Sequence, residues 1–304
     1  VLPIGALTRN LEGEHLSELV ALRDAGCVAF TQGLNPMGSN RILRRALEYA
    51  ATFDVPIIFT PLDPSLAEGG MAHEGPTASR LGLIGIPESA ETVALARDLL
   101  LIEQTGVRAH FSGLTSARAV DMLATAQARG LPVTADVAAY QLLLCDEDLN
   151  GFSSLLHVMP PLRSAADRRA LREAVQSGVV QAIASHHRPH EPEVKRVPFA
   201  ASAPGISSVE ILLPLALTLV ADGLLELPAL LSRLTTGPAA ALNLQAGQLT
   251  LGGAADLTLF DPAKACEIGR NWLSRGANCP FIGQGAPAAV THTLCNGKLV
   301  YQAN

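Results

Sequence analysis

The feature that most limits the folds open to this chain is a repeated alternation. Short apolar runs at residues 1–7, 27–31, 55–60, 107–112, 132–137 and 180–186, the first of which reads as a buried strand, are separated by segments with helical spacing. Over residues 14–25, Leu16, Leu19, Val20 and Leu22 recur at helical intervals and Gly26 stops the pattern. Ser39 is placed to cap a helix reaching Phe53, with Ile42, Leu43, Ala46, Leu47 and Ala50 on one face. Pro87 suits the first turn of a helix ending near Gln104, and further helices are expected over 116–129 and 165–176. Strands alternating with helices, joined by right-handed crossovers, make a parallel sheet that is either open and doubly wound or closed into a barrel. No glycine-rich phosphate fingerprint follows any strand, which weighs against the nucleotide-binding open sheet. The expectation is an α/β fold, a TIM-like (β/α) barrel over residues 1–246 with its helices outside.

From Gly247 the texture changes. Residues 248–251, 256–260, 289–295 and 298–301 read as short strands, and Asn296-Gly297 is a two-residue hairpin turn. Residues 247–304 are therefore expected to form a small β module. Helices at about 208–221, 228–235 and 238–242 precede it. The excursion at 61–87, rich in Gly and Pro, is longer than an ordinary connection, and loops of that length are usually functional. Its His73-Glu74 reads as a solvated tip.

Composition narrows the function classes. A formal net charge of −6 without a Lys/Arg cluster argues against nucleic acid. Hydrophobic residues make up 48% of the 304 and charged residues only 16%, an apolar balance that points to surface hidden in an assembly. The most apolar run, 211–221, is bounded by Glu210 and Asp222 and is too short to span a bilayer. The first residues lack the basic start and cleavage site of a signal peptide, and five dispersed Cys without a C-x-x-C pair fit reduced thiols in a cytoplasm.

The stretch with most chemistry is Ile183-Ala184-Ser185-His186-His187-Arg188-Pro189-His190, where a β-branched run meets a His-dense loop. A barrel strand looks like this where it delivers side chains to the catalytic face. Imidazole is a common metal ligand, but no Cys or carboxylate in the local sequence completes a tetrahedron, although Glu191 and Glu193 are near. His110 and His157 lie on apolar runs and read as core or rim groups, and Arg163 as a structural ion-pair donor.

The stretch at 183–190 resembles the end of the last barrel strand in dihydroorotases, cyclic amidohydrolases that usually read T-D-H-A-P-H there. Leu2-Pro3-Ile4-Gly5-Ala6-Leu7-Thr8 is similar to that family's third strand. Asp63-Pro64-Ser65-Leu66-Ala67-Glu68-Gly69-Gly70, Arg80-Leu81-Gly82-Leu83-Ile84-Gly85-Ile86-Pro87 and Ala96-Arg97-Asp98 follow its pattern in order. So do Pro160-Pro161-Leu162-Arg163, Ala203-Pro204-Gly205-Ile206 and Asn278-Cys279-Pro280-Phe281-Ile282-Gly283. The family's first two strands, with its H-x-H and a substrate-binding Arg, have no counterpart, and neither does the N-terminal half of its β module. The sheet is expected to show a gap between the edges at 2–7 and 180–186.

The family uses zinc, and the positions that would hold it differ here. S-D-D-G is Thr31-Gln32-Gly33-Leu34. Thr60 stands for the His of S-H-C-E-D, Gly113 for the second His of H-x-x-H-V-S-T, and Tyr140 for the first His of E-V-T-P-H-H. The catalytic Asp is His186. The resemblance implies no metal cofactor, no catalytic residues, and Thr60, Gly113 and His186 sharing one cavity. His190, Pro204 and Gly205 match residues that contact the substrate carboxylate and imply a vestigial anion pocket. Inactive chains of this kind serve as scaffold subunits holding aspartate carbamoyltransferase catalytic chains, so that partner and self-association are expected, with neither nucleic acid nor membrane. The alternatives are a divergent amidohydrolase using the rearranged His cluster, and a small-molecule sensor using the residual pocket.

Overall fold

The computed structural model describes residues 1–269 and 272–303. Six strands form one parallel sheet: β1 (Ile4–Ala6), β2 (Ala29–Thr31), β3 (Ile57–Phe59), β4 (Ala109–Phe111), β5 (Val133–Ala138) and β6 (Ala182–Ala184). Their order across the sheet is their order along the chain, so every crossover returns the chain beside the strand it left. The register aligns Ile4 with Ala29, Phe30 with Ile57, Ile57 with Ala109, Ala109 with Val133, and Asp136 with Ala182. β1 and β6 are the two edges and do not pair with each other. Among the described residues the barrel-type sheet therefore shows the gap expected between the edges at 2–7 and 180–186.

The connecting helices include α1 (Leu19–Asp24), α2 (Asn40–Thr52), α3 (Glu88–Thr105), α4 (Ala117–Ala128) and α5 (Ala165–Ser177). Three begin on a serine whose side-chain oxygen accepts a backbone N–H three residues on: Ser39 from Ile42, Ser116 from Ala119, Ser164 from Asp167. These caps satisfy donors that the helix itself leaves free. Buried apolar side chains of the helices (Leu47, Leu95, Leu123) and strands (Phe30, Ile57, Phe111) share one core, in which Phe59 and Phe111 stack at 5.5 Å.

Four expectations are corrected. The helix over 14–25 shrinks to α1, because residues 15–17 pair with the segment that follows β1: Arg9 N donates to His15 O at 2.8 Å and Ser17 N to Leu7 O at 3.1 Å. The run at 1–7 is not a buried strand. Ile4 on β1 is 48% exposed because nothing described pairs with that edge. The 61–87 excursion carries its own structure, with Ala72–His73 pairing in parallel with Gly85–Ile86 around a helix at Pro76–Leu81. Residues 248–251 form no strand, and Leu249 and Leu251 lie exposed.

Beyond the sheet, β7 (Leu257–Asp261), β8 (Ala289–Cys295) and β9 (Lys298–Gln302) form an antiparallel sheet with β8 in the middle. The turn between β8 and β9 sets Asn296 at φ 47° and Gly297 at φ 75°, the left-handed pair that Asn-Gly predicts. Glu210, on the segment after β6, binds to this part of the chain, accepting from Leu273 N at 3.0 Å and Ser274 N at 2.6 Å. Among the described residues, no helix is long and apolar enough to cross a membrane.

Candidate functional site

The C-terminal ends of β4, β5 and β6 converge on one carboxylate. Asp136 sits in β5 among Val133, Ala135 and Val137, and its side chain is 8% exposed. A charge placed there needs partners, since an unpaired buried carboxylate is too costly to keep ionised. It has three. Oδ1 lies 2.7 Å from His186 Nε2 and accepts Gly113 N at 2.9 Å, and Oδ2 lies 3.0 Å from His110 Nε2. His110 in turn places Nδ1 2.8 Å from Thr134 Oγ1. That network assigns His110 its proton on Nε2, with Nδ1 accepting the threonine hydroxyl.

The electrostatics follow from this packing. Burial alone would push the Asp136 carboxyl up, but the His186 charge and the hydrogen bonds from both imidazoles hold it far below the usual carboxylate range. Burial pulls the His186 imidazole down, and the charge and hydrogen bond of Asp136 outweigh it and hold the ring above its ordinary value. The result is an imidazolium–carboxylate pair at the barrel mouth. Tyr140, on the turn after β5, is pushed up by burial and by the Asp136 charge, so it stays a neutral phenol.

Two backbone positions make room for the pair. His186 itself adopts φ 46°, a left-handed conformation uncommon for a residue with a side chain. Gly113 adopts φ 76°, and a Cβ built there would stand 2.8 Å from His186 Cε1. An imidazole at position 113, as the dihydroorotase pattern has, would overlap the imidazole at 186. The two departures from the pattern are one steric event.

Thr60 is not part of this cluster, contrary to the shared cavity expected for it. It lines a crevice of about 500 Å³ with Gln32, Gly33, Asn35, Leu62, Arg97 and Asp98, whose walls include neither Gly113 nor His186. Gln32 accepts from Thr8 Oγ1 at 2.8 Å and donates to Leu11 O at 2.8 Å, so it serves the loop after β1. On this side, burial raises Asp98 to about 6, while Arg97 holds it at 2.8 Å.

His190, Pro204 and Gly205 do come together. His190 Nε2 donates to Pro204 O at 3.0 Å, and Asn278 ties the loops by donating to Arg188 O and Gly205 O and accepting from His190 N. Gly205 (φ 143°) has the Arg188 stem packed 2.7 Å from where a Cβ would stand. The histidine N–H that would meet an anion is thus directed at a carbonyl. His187 holds the turn before the helix Leu212–Ala221 through Nδ1, which accepts from Ser208 N at 2.9 Å and Val209 N at 3.1 Å. His157 stacks on Phe199 and is held to about 4 by burial and by Lys195.

Sequence reasoning missed Asp136 as the centre of the site. The signal was available: an aspartate in an otherwise apolar strand must be paired. It also misread His73, which is half-buried with Nδ1 3.1 Å from Arg163 Nη1. Arg163 fulfils its expected structural role, donating to Thr115 Oγ1 and Ile86 O beside Glu91.

A catalytic zinc needs about three N, S or O ligands around one open position. The residues here do not fit that ion. Thr60, Gly113 and Tyr140 supply no imidazole, and His110, Asp136 and His186 turn their donor and acceptor atoms on one another at hydrogen-bond distance. Among the described residues, no group of three or more His, Cys, Asp or Glu is arranged to hold a metal.

Comparison with known proteins places this geometry. The model of the amidohydrolase family matches residues 76–300, and a dihydro-orotase-like model matches 1–119. A dihydroorotase-like protein of Pseudomonas aeruginosa is 68% identical over 302 residues, which are 99% of this chain and 71% of that protein. A dihydroorotase of Syntrophus aciditrophicus is 42% identical over 303 residues, again 99% and 71%. Among solved structures, the L-hydantoinase (dihydropyrimidinase) of Arthrobacter aurescens superposes with TM-score 0.84 at 23% identity, over 98% of this chain and 69% of that one. The inactive dihydroorotase-like domain of the Chaetomium thermophilum CAD-like multifunctional protein gives 0.64 at 18% identity, over 98% and 73%. The chain belongs to the amidohydrolase family, among its dihydroorotase-like members.

Proposed function

We propose that this chain is a non-catalytic dihydroorotase-like protein of pyrimidine biosynthesis. In this reading it is a cytoplasmic structural subunit that associates with itself and supports assembly of aspartate carbamoyltransferase catalytic chains. The observation that carries the loss of chemistry is the closed pairing of Asp136 with His110, His186 and Gly113 N. Zinc-assisted hydrolysis depends on a metal to bring the pKa of bound water down to about 7. Here the groups at the mouth neutralise one another instead. The similarity to a protein named dihydroorotase-like supports the same reading. His190 then serves the fold of its loop, and the residual pocket takes no ligand.

Two measurements test it. Metal analysis of the purified chain is expected to find far less than one tightly bound zinc per chain. Co-expression with the carbamoyltransferase chain, followed by sizing chromatography with both proteins quantified, is expected to give one co-eluting peak of fixed ratio. Separate elution at every ratio would remove the scaffold role.

A second reading has its own support: relatives 42% identical carry the name dihydroorotase, and His186 backed by buried Asp136 is how a general base is often oriented. A ring-opening assay on dihydroorotate separates the two, since only the enzyme reading expects turnover.

A further inference from the structure

Away from the mouth, the side chains of Arg163 and Gln141 each keep one atom unpaired in the interior. Arg163 is 4% exposed and Gln141 3%. Arg163 Nε donates to Thr115 Oγ1 at 3.0 Å and Nη1 to Ile86 O at 3.0 Å, but Nη2 has no hydrogen-bond partner among the described residues. Its nearest acid, Glu91 Oε2, is 3.8 Å away, too far for a hydrogen bond. Gln141 Nε2 donates to Pro160 O at 3.3 Å, and Gln141 Oε1 has no partner. A buried polar atom left unsatisfied loses its water partners without replacing them, which is unfavourable. Both residues line the same small cavity, with about 10 Å³ of room for the centre of a water, together with Thr115, Leu144, Arg168 and Leu171.

We propose that this cavity binds an ordered water molecule, which accepts from Arg163 Nη2 and donates to Gln141 Oε1. The chemistry of the two orphaned atoms selects the ligand. One is a donor and the other an acceptor, so the occupant must both accept and donate. An anion satisfies Nη2 but leaves Gln141 Oε1 facing a negative charge. Turning the amide over sets its oxygen against the Pro160 carbonyl, which is 3.3 Å from the present nitrogen. A cation is excluded by two arginines in the lining. One water needs roughly 10–15 Å³ of room for its centre, which is the scale of this cavity, and an organic ligand needs far more.

The water adds the turn after β5 to a link that Arg163 already makes, through Thr115 Oγ1 and Ile86 O, between the loop after β4 and the excursion. Gln141 adjoins Tyr140 on the turn after β5, and Arg163 carries the excursion through His73 and the Ile86 carbonyl. The barrel mouth and the excursion are thereby held to one guanidinium.

The test is a high-resolution crystal structure of the chain, with a second crystal grown in bromide. A single density peak within about 2.7–3.2 Å of both Arg163 Nη2 and Gln141 Oε1 is the expected result. Gln141→Glu, which keeps an acceptor, should retain the peak, and Gln141→Leu should lose or displace it. An anomalous bromide peak in the cavity would overturn the proposal, as would a direct Arg163–Gln141 bond with no density between them. The wild-type density decides the matter even if a variant fails to fold.

Discussion

The two sides of the barrel mouth have departed from the dihydroorotase pattern in different ways. At the ends of β4, β5 and β6, Asp136 draws in two imidazoles and a backbone amide, and the mouth is closed by charge pairing. At the ends of β2 and β3, neutral Gln32 and Thr60 stand in, and a crevice stays open beside them. The difference is physical. A charged side chain placed in a low-dielectric site must recruit partners, and doing so moves neighbours and fills space. Neutral replacements make ordinary loop hydrogen bonds and leave the space alone. Charge at the mouth is therefore coupled across three strands, whereas the neutral side is a set of independent positions.

The sharpest way to break this comparison is to remove the shared carboxylate. Asp136→Ala should destabilise by about 3–5 kcal/mol, because His186 loses its buried counter-charge and His110 Nε2 loses its acceptor. Urea unfolding measures it, and a loss below that of an ordinary surface change would mean the pairing is incidental. The pair also fixes a pH profile. Asp136 has a folded pKa below its ordinary 3.8, so its contribution is present above that value and fades as pH falls toward the depressed one. His186 has a folded pKa above 6.5, so its contribution is complete below 6.5 and fades as pH rises through the raised value. Stability from the pair should be greatest between about pH 3.8 and 6.5, and Asp136→Asn should flatten that part of the profile.

Gly113→Ala comes next, at about 1–3 kcal/mol, for the left-handed backbone and the contact with His186. The steric share should vanish in a His186→Ala background, giving a coupling of about 0.5–3 kcal/mol in a double-mutant cycle. Additivity would separate the two positions and undo the argument that they changed together. Thr134→Val removes the hydroxyl from His110 Nδ1 and should cost about 1–2 kcal/mol. On the other side, Thr60→Val should stay within about 0.5 kcal/mol, as an independent position should.

Much of this fold is legible from local pattern. Ser39 announces its helix because a cap is a contact between residues three apart, and Asn296-Gly297 announces its turn because that contact too is local. The site is not local. Asp136 meets His110 from 26 positions away and His186 from 50, so its partners cannot be read from its neighbours. His73 looks solvated beside Glu74 and Gly75 only because Arg163, 90 residues on, is invisible at that range. Residues 14–18 carry helical spacing, yet Leu7 and Arg9, just after β1, offer Ser17 and His15 backbone partners that override it. Residues 248–251 fail in the opposite sense: alternation without a neighbouring strand leaves Leu249 and Leu251 in solvent. The resemblance to dihydroorotases located the altered positions, while only the packing explains why Gly113 and His186 belong together.

The central claim is that the paired mouth performs no hydrolysis, and the most direct measurement is dihydroorotate ring opening with added Zn²⁺. Both the unaltered chain and His186→Asp are to be assayed, since the substitution returns the family's proton-transfer group. A general acid–base group contributes about 10²–10⁴-fold only when the rest of its site is in place, and residues that act as a unit are strongly non-additive. Thr60, Gly113 and Tyr140 would still supply no imidazole, so both chains are predicted to stay at the rate of the buffer alone. Turnover by either chain approaching about 1 s⁻¹, the low end for ordinary enzymes, would contradict the account.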